Sequence, residues 1–327
     1  MPNELYPGTL YIVATPIGNM DEITPRALQV LSEVDIIAAE DTRTTGLMLN
    51  RLNIETSKLI AYHKFNEAAR QNLLVEKLKS GQNIALVSDA GTPCISDPGH
   101  LLVKAVSEQG IEIVGVSGPC AVISALCVSG FPAEPFIFVG FLPRKQKAII
   151  EALAPLAPLA SLAPFVSLAP LTSLTSFAAS DSLDSSSRIA LFQHGFTMVF
   201  YESPKRIAAT VELLAANFPQ ISLCLCNDLT KKFERIYRGN PMEVLEALRA
   251  NPHAEKGEYT CVAYMSASSQ EAFSKENEES LPSLESLLID IIIKSGCSMK
   301  EAIKTLSASH PKNEIYAASL RLKELFS

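Results

Sequence analysis

The sequence predicts an α/β protein with two lobes. The first is built on a mostly parallel sheet and the second on a mixed one, and a small helical module follows at the C-terminus. Three observations carry that expectation. Short apolar runs each precede a segment with helical spacing, polar turn formers stand where the runs end, and the pattern restarts after a stretch rich in Gly and Pro. A 47% hydrophobic content over 327 residues is enough to bury the cores of roughly two domains.

In the first lobe, 8–130, the runs Leu10 to Ala14, Asp35 to Ala38, Ile84 to Val87 and Ile111 to Val116 read as buried strands. Their alternation with helical segments predicts parallel pairing with both sheet faces covered. Thr24 before Pro25 is a helix start, an N-cap followed by proline at the first helical position, with Ala27, Leu28 and Leu31 as the apolar stripe. Leu73, Leu74 and Leu78 mark another helix, which stops at Gly81. The stretch from Val128 to Pro135, with Gly130 and Pro132, separates the lobes.

The second lobe, 131–266, has strand-like runs at Phe136 to Val139, Thr197 to Tyr201, Ile221 to Cys226 and Glu258 to Tyr264. Helical stretches fall at Pro204 to Asn217 and Pro241 to Ala250. Within it, 152–187 changes to a Leu, Ala, Pro and Ser composition. Pro155, Pro158, Pro164 and Pro170 would interrupt any membrane helix there, so the segment reads as an extended or poorly ordered insert. A linker, 267–280, leads to the helical module at 281–327, with apolar spacing at Leu284, Leu287, Leu288 and Ile291 and again at Ile315, Ala318, Leu322 and Leu325.

Charge and cysteine usage narrow the function classes. A net charge of −7 argues against indiscriminate nucleic-acid binding, which needs a broad basic surface, but leaves room for a local basic patch on a structured target. Seven irregularly spaced cysteines read as thiols of a reducing cytoplasm. Cys224 and Cys226 would share one strand face in the core, and no spacing suggests a metal site. The N-terminal MPNELYPG lacks the basic and apolar order of a signal peptide.

The chemistry gathers at strand exits. SDAGTPCISDPG, Ser88 to Gly99, holds two Asp-bearing turns, two prolines and two glycines between a buried strand and a helix. ATPIGN (Ala14 to Asn19), EDTR (Glu40 to Arg43), SGPCA (Ser117 to Ala121) and YESPKR (Tyr201 to Arg206) stand at comparable exits. In a parallel sheet such exits share one edge, where ligands bind. Neither G-x-G-x-x-G nor GxxxxGK[ST] occurs, so a dinucleotide or P-loop site lacks its phosphate cradle. Backbone groups and Asp carboxylates suit a ligand with a cation, an amino acid and a ribose, as in S-adenosylmethionine.

LYIVATPIGNMDEIT, AAEDTR, AYHKFNE, ALVSDAGTPCISDPG, GPCA, FVGFLPRK, FYESPKR, DLTK and KGEY, in that order, resemble the blocks of the bacterial small-subunit rRNA 2′-O-ribose methyltransferases, a family of the tetrapyrrole-methylase fold. The resemblance spans Gly8 to Tyr264 apart from the insert. Two blocks depart from the family pattern: SGPCA stands for P-G-P-S-A, and CNDLTK for A-R-E-L-T-K.

This resemblance implies S-adenosylmethionine bound between the lobes, methyl transfer to the ribose of a cytidine in the decoding region of 16S rRNA within the assembled small subunit, and a homodimer. Candidate cofactor residues are Pro16, Asp89, Ala90, Gly91, Thr92, Ile95, Ser96, Gly118, Pro119, Cys120, Ala121, Tyr201, Leu229 and Thr230. Glu202, Asp41 and Asp97 are candidates for the base that a weakly acidic hydroxyl requires. Arg43, His63, Arg144, Lys145, Lys205, Arg206 and Lys231 are candidate RNA contacts. Two other functions compete: C-methylation of a tetrapyrrole precursor by the same fold, and rRNA binding without catalysis.

Overall fold

The computed structural model describes residues 6–55, 58–153, 195–266, 284–295, 298–307 and 311–325. The chain divides into two compact units, Met1–Gln270 and Glu271–Ser327, and the larger contains two five-stranded sheets. The first comprises β1 (Leu10–Val13), β2 (Ile36–Ala39), β3 (Lys58–Ala61), β4 (Ile84–Val87) and β5 (Ile113–Val116). Their order is β3-β2-β4-β1-β5, and every neighbouring pair is parallel.

Parallel neighbours require crossovers, here built on α1 (Pro25–Glu33), α2 (Thr42–Arg51), α3 (Glu67–Lys79) and α4 (His100–Glu108). β2 and β4 are buried at every position, as strands covered on both faces must be. Successive residues point to opposite faces, so Leu10, Ile36 and Ile84 pack with Leu74 and Leu102, while Val13, Ile37 and Val87 pack with Leu31 and Leu49. Thr24 caps α1 as its sequence predicts, its hydroxyl accepting the Ala27 N–H at 3.1 Å.

The chain leaves β2 toward β3 on one side and leaves β4 toward β5 on the other. β2 and β4 are neighbours, so the order of connections reverses between them, and a ligand crevice is expected at the carboxyl edge there.

The second sheet is mixed. β6 (Phe136–Phe141), β7 (Phe196–Glu202), β8 (Ser222–Asn227), β9 (Arg235–Gly239) and β10 (Tyr259–Met265) are ordered β6-β7-β10-β8-β9; β6 and β7 run parallel and the remaining pairs antiparallel. α6 (Gln146–Leu153), α7 (Ile207–Asn217) and α8 (Pro241–Ala250) cover one face through Ile149, Val211 and Leu245. α5 (Ala121–Ser129), which begins at the exit of β5, covers the other through Val122 and Ala125, against Val199, Val262 and the paired Cys224 and Cys226. These two thiols lie 3.9 Å apart on one face. α8 opens on a capping box: the Asn240 side chain accepts the Glu243 N–H, and the Glu243 carboxylate accepts the Asn240 N–H.

In the smaller unit, α9 (Leu284–Ser295), α10 (Met299–Leu306) and α11 (Lys312–Leu325) pack around Leu288, Ala302, Leu306, Ile315, Ala318 and Leu322. Among the described residues, no helix is long and apolar enough to cross a membrane.

The structure adds β3, α6, β9 and α10 to the elements the sequence predicts, and α7 begins at Ile207 rather than Pro204. The N–H groups of Arg206 and Ile207 both bond to the Ser203 carbonyl, so Ser203 to Arg206 form a turn ahead of the helix. Of the predicted insert, Ala152 and Leu153 close α6; the remainder of the insert and the 267–280 linker lie outside the described residues.

Candidate active site

The strand exits of the first sheet are fastened to one another. Thr15 and Gly91, beyond β1 and β4, exchange backbone hydrogen bonds at 2.9 and 3.0 Å. The Thr92 hydroxyl donates to the Pro119 carbonyl beyond β5 at 3.1 Å, and Asp89 Oδ1 accepts the Asp41 N–H beyond β2 at 3.0 Å. Gly118 packs so closely on the β1 exit that a Cβ there would sit 3.0 Å from the Ala14 Cβ. Gly91 has φ +78°, a left-handed conformation that side chains disfavour, and a Cβ on it would come within 3.2 Å of Ile17.

The second lobe closes over this edge. The Thr230 hydroxyl accepts the Asn19 N–H at 3.2 Å, and the Lys231 stem lies across Gly18 where a Cβ would collide with it. Ser96 sits against Gly140 of β6, its hydroxyl 3.1 Å from where a Cβ would project.

The open-mouthed cavity between the lobes measures about 420 Å³. Asp89, Ala90, Gly91, Thr92, Ile95, Ser96 and Asp97 line it from the β4 exit, Ile17 and Glu40 from β1 and β2, and Cys120 and Ala121 from the start of α5. Phe141, Tyr201 to Pro204, Cys226, Leu229 and Glu258 to Thr260 complete it from the second lobe. Asp89 and Tyr201 thus meet at one cavity although separate strands carry them, and Gly18 and Gly118 lie in the packed loops beside it. Pro16, Gly118, Pro119 and Thr230 do not line it; the last three act on its wall through the contacts above.

Three of the carboxylates that border the cavity are harder to ionise than usual. Burial raises Asp97 to about 6; Glu40 and Asp89 add repulsion, and a Ser88 hydrogen bond pulls the other way. Burial also raises Glu40, with Asp89 repelling it, and raises Asp89, with Asp41 repelling it. A site that raises three carboxylates together gains from a bound cation.

The other two candidate bases are already engaged. Glu202 is 2% exposed; its Oε1 accepts the Ser203 N–H, its Oε2 accepts the Thr210 hydroxyl, both at 2.7 Å, and Arg206 lies 3.1 Å away. Asp41 is held down to about 2 by hydrogen bonds from the Arg43 side chain and backbone, and it does not line the cavity.

The tetrapyrrole (corrin/porphyrin) methylase family model matches residues 9–169. The ribosomal RNA small subunit methyltransferase I of Escherichia coli O157:H7 is 36% identical over 316 residues, covering 96% of this chain and 95% of its own. The protein of that name from Haemophilus influenzae is 40% identical and covers 78% of both chains. That from Synechocystis is 36% identical and covers 97% of this chain and 99% of its own. This chain belongs to the ribosomal RNA small subunit methyltransferase I family. A crystal structure of diphthine synthase shares its fold, with a TM-score of 0.52 at 12% identity over 82% of this chain and 95% of the other.

Within this member of the family, the basic residues that the sequence singles out fall into two groups. Arg144, Lys145 and Lys205 are exposed and pair with no carboxylate among the described residues. The others are engaged. Arg43 pairs with Asp41 at 2.8 Å, and Lys231 bridges Asp228 at 2.8 Å and Glu258 at 2.9 Å. Arg206 donates to the carbonyls of Leu142, at 3.3 Å, and Pro143. The His63 ring packs edge-on against Phe65, its Nε2 lies 3.2 Å from the Asn66 amide nitrogen, and its buried Nδ1 has no partner. Sequence reasoning missed Ile17, Glu40, Phe141, Ser203, Pro204, Cys226, Glu258, Tyr259 and Thr260 as cavity residues. Glu40 opens EDTR and Phe141 lies within FVGFLPRK, so a signal for both was present.

Proposed function

We infer that this chain methylates the ribose 2′-hydroxyl of a cytidine in the decoding region of 16S rRNA, on the assembled small subunit, with S-adenosylmethionine as donor. The observation that carries the reading is the junction of all these strand exits around one cavity, in a chain whose relatives are named rRNA methyltransferases. About 420 Å³ lies within the range of small-molecule sites, roughly 300–1,000 Å³. The donor set fits S-adenosylmethionine: Ile17, Ile95, Ala121 and Leu229 offer an apolar wall, Gly91 lets backbone approach closely, and Asp89, Glu40 and Asp97 answer a cation. When bound, that molecule supplies an activated methyl group.

The chain's own residues handle position and proton. The exits of β1, β4 and β5 hold the donor against the second lobe, fixing an orientation that solution chemistry reaches rarely. Asp97 takes the 2′-hydroxyl proton. It borders the cavity, it is not tied into a helix start as Glu202 is, and its proton affinity near 6 lets it be ionised yet basic at neutral pH. Arg144, Lys145 and Lys205 contact phosphates, and a second copy of the chain completes a homodimer. A cytoplasmic location follows from the ribosomal substrate.

The test is incubation of the purified chain with labelled S-adenosylmethionine and either small subunits from a strain lacking this gene or a tetrapyrrole precursor. Label on a ribose of 16S rRNA is expected. Label in the macrocycle, or in neither, overturns the reading.

A further inference from the structure

The mouth of the cavity carries a feature outside the apolar wall assigned above to the methyl donor. Phe141, the last residue of β6, lines the cavity yet is 66% exposed.

Its position is fixed rather than incidental. The β6–β7 register shifts between Phe138 and Phe141, and Gly140 takes φ +70°, so Phe141 is turned out of the regular pleat. Tyr201 braces one side of the ring, with centroids 5.2 Å apart at an interplanar angle of 56°, and Phe138 braces Tyr201 in turn at 5.1 Å. Just beyond Phe141, Arg206 holds the carbonyls of Leu142 and Pro143 while it pairs with the buried Glu202. The ring is therefore clamped from behind and open in front.

Charge complements the ring. Arg144, Lys145 and Lys147 follow it in the chain, exposed and without carboxylate partners among the described residues. An aromatic face beside unpaired cations is the arrangement that takes an unstacked base with its flanking phosphates.

We propose that Phe141 is the platform on which the base of the acceptor nucleotide stacks, so that the enzyme acts on a nucleotide turned out of its helix. This rests on the rRNA reading above and names the form of substrate that site accepts. Glu202 and Arg206 are positioning residues for the platform.

The test compares wild type, Phe141→Ala and Phe141→Trp on small subunits from the strain lacking the gene, with calorimetry of S-adenosylmethionine binding alongside. Phe141→Ala is expected to lose roughly tenfold in kcat/KM for small subunits while its donor affinity falls by much less, as a stacking contact would predict. Phe141→Trp is expected to restore the rate and to show quenched tryptophan emission on adding small subunits. An Ala variant as fast as an active wild type overturns the platform alone, as does one whose donor affinity falls as far as its rate. A wild type that transfers no methyl to small subunits overturns the rRNA reading itself.

Discussion

Asp89 Oδ1 accepts the backbone N–H of Asp41 at 3.0 Å, joining the exit of β4 to the exit of β2 across the rim of the cavity. The same side chain therefore braces two loops and presents charge to a ligand. Substitution separates the roles. Asp89→Asn keeps an acceptor for the Asp41 N–H and loses only the charge, whereas Asp89→Ala loses both. If the charge meets a cationic group of S-adenosylmethionine, both variants weaken binding by roughly tenfold, the magnitude of one lost hydrogen bond to a charged group. Calorimetry decides: Asp89→Asn binding as wild type would leave Asp89 a brace and nothing more.

If Asp97 is the base proposed above, it acts on rate and stability in opposite senses. The proposed base must be ionised, so kcat/KM should rise with pH through about 6 and level off above it, and Asp97→Asn should lose most of the rate. The native state holds this proton more tightly than the unfolded chain does. Its contribution to stability is thus complete below the ordinary carboxylate range, near 4, and is lost as pH rises through about 6. Asp97→Asn should accordingly melt higher than wild type at pH 7, with no such gain at pH 4. A variant that melts lower at neutral pH would contradict the burial argument.

Glu202 and Arg206 should behave as structure rather than as acid or base. Removing Arg206 strands a carboxylate that is 1% exposed and frees the Leu142 and Pro143 carbonyls. Breaking such a pair from one side costs about 3–5 kcal/mol in fully buried cases, and the partly exposed guanidinium reduces that to roughly 2–3. Arg206→Ala should lower the urea midpoint accordingly. Glu202→Gln should retain single-turnover methylation within a few-fold of wild type; a loss of several hundredfold without unfolding would return Glu202 to the role of base.

Most of the scaffold was legible because its residues carry strong local signals. Thr24 with Pro25 announces α1, Asn240 with Pro241 announces α8, and the buried runs in β2 and β4 are continuous. β3 and β9 were not, because charge interrupts them. Lys58 is exposed in β3, and β9 reads RIYRG, with charges at Arg235 and Arg238. Both are edge strands, where charge discourages further pairing; the other two edges, β5 and β6, keep apolar runs and were legible. At the site, turn chemistry revealed the β4 exit. It could not reveal Tyr259 and Thr260, which belong to a regular strand and reach the cavity because β10 lies beside β7, nor Glu258 just ahead of that strand. Nor could spacing show that Lys231 and Arg206 are already paired, since an engaged cation and a free one look alike in sequence.

Lys231 provides the last prediction, because its two readings diverge in what salt does. Its ammonium bridges Asp228 and Glu258, and its stem covers Gly18, so it joins the second lobe to the β1 exit. Lys231→Met keeps the stem and removes the charge, leaving the two carboxylates without their cation. Partly exposed ion pairs contribute little each, and the expected cost is about 1 kcal/mol in stability together with a several-fold weaker hold on S-adenosylmethionine. If Lys231 instead met a phosphate, the variant would bind small subunits more weakly and the slope of log affinity against log salt would fall by about one. Parallel lines for wild type and Lys231→Met, combined with weaker donor binding, are the outcome that the paired geometry requires.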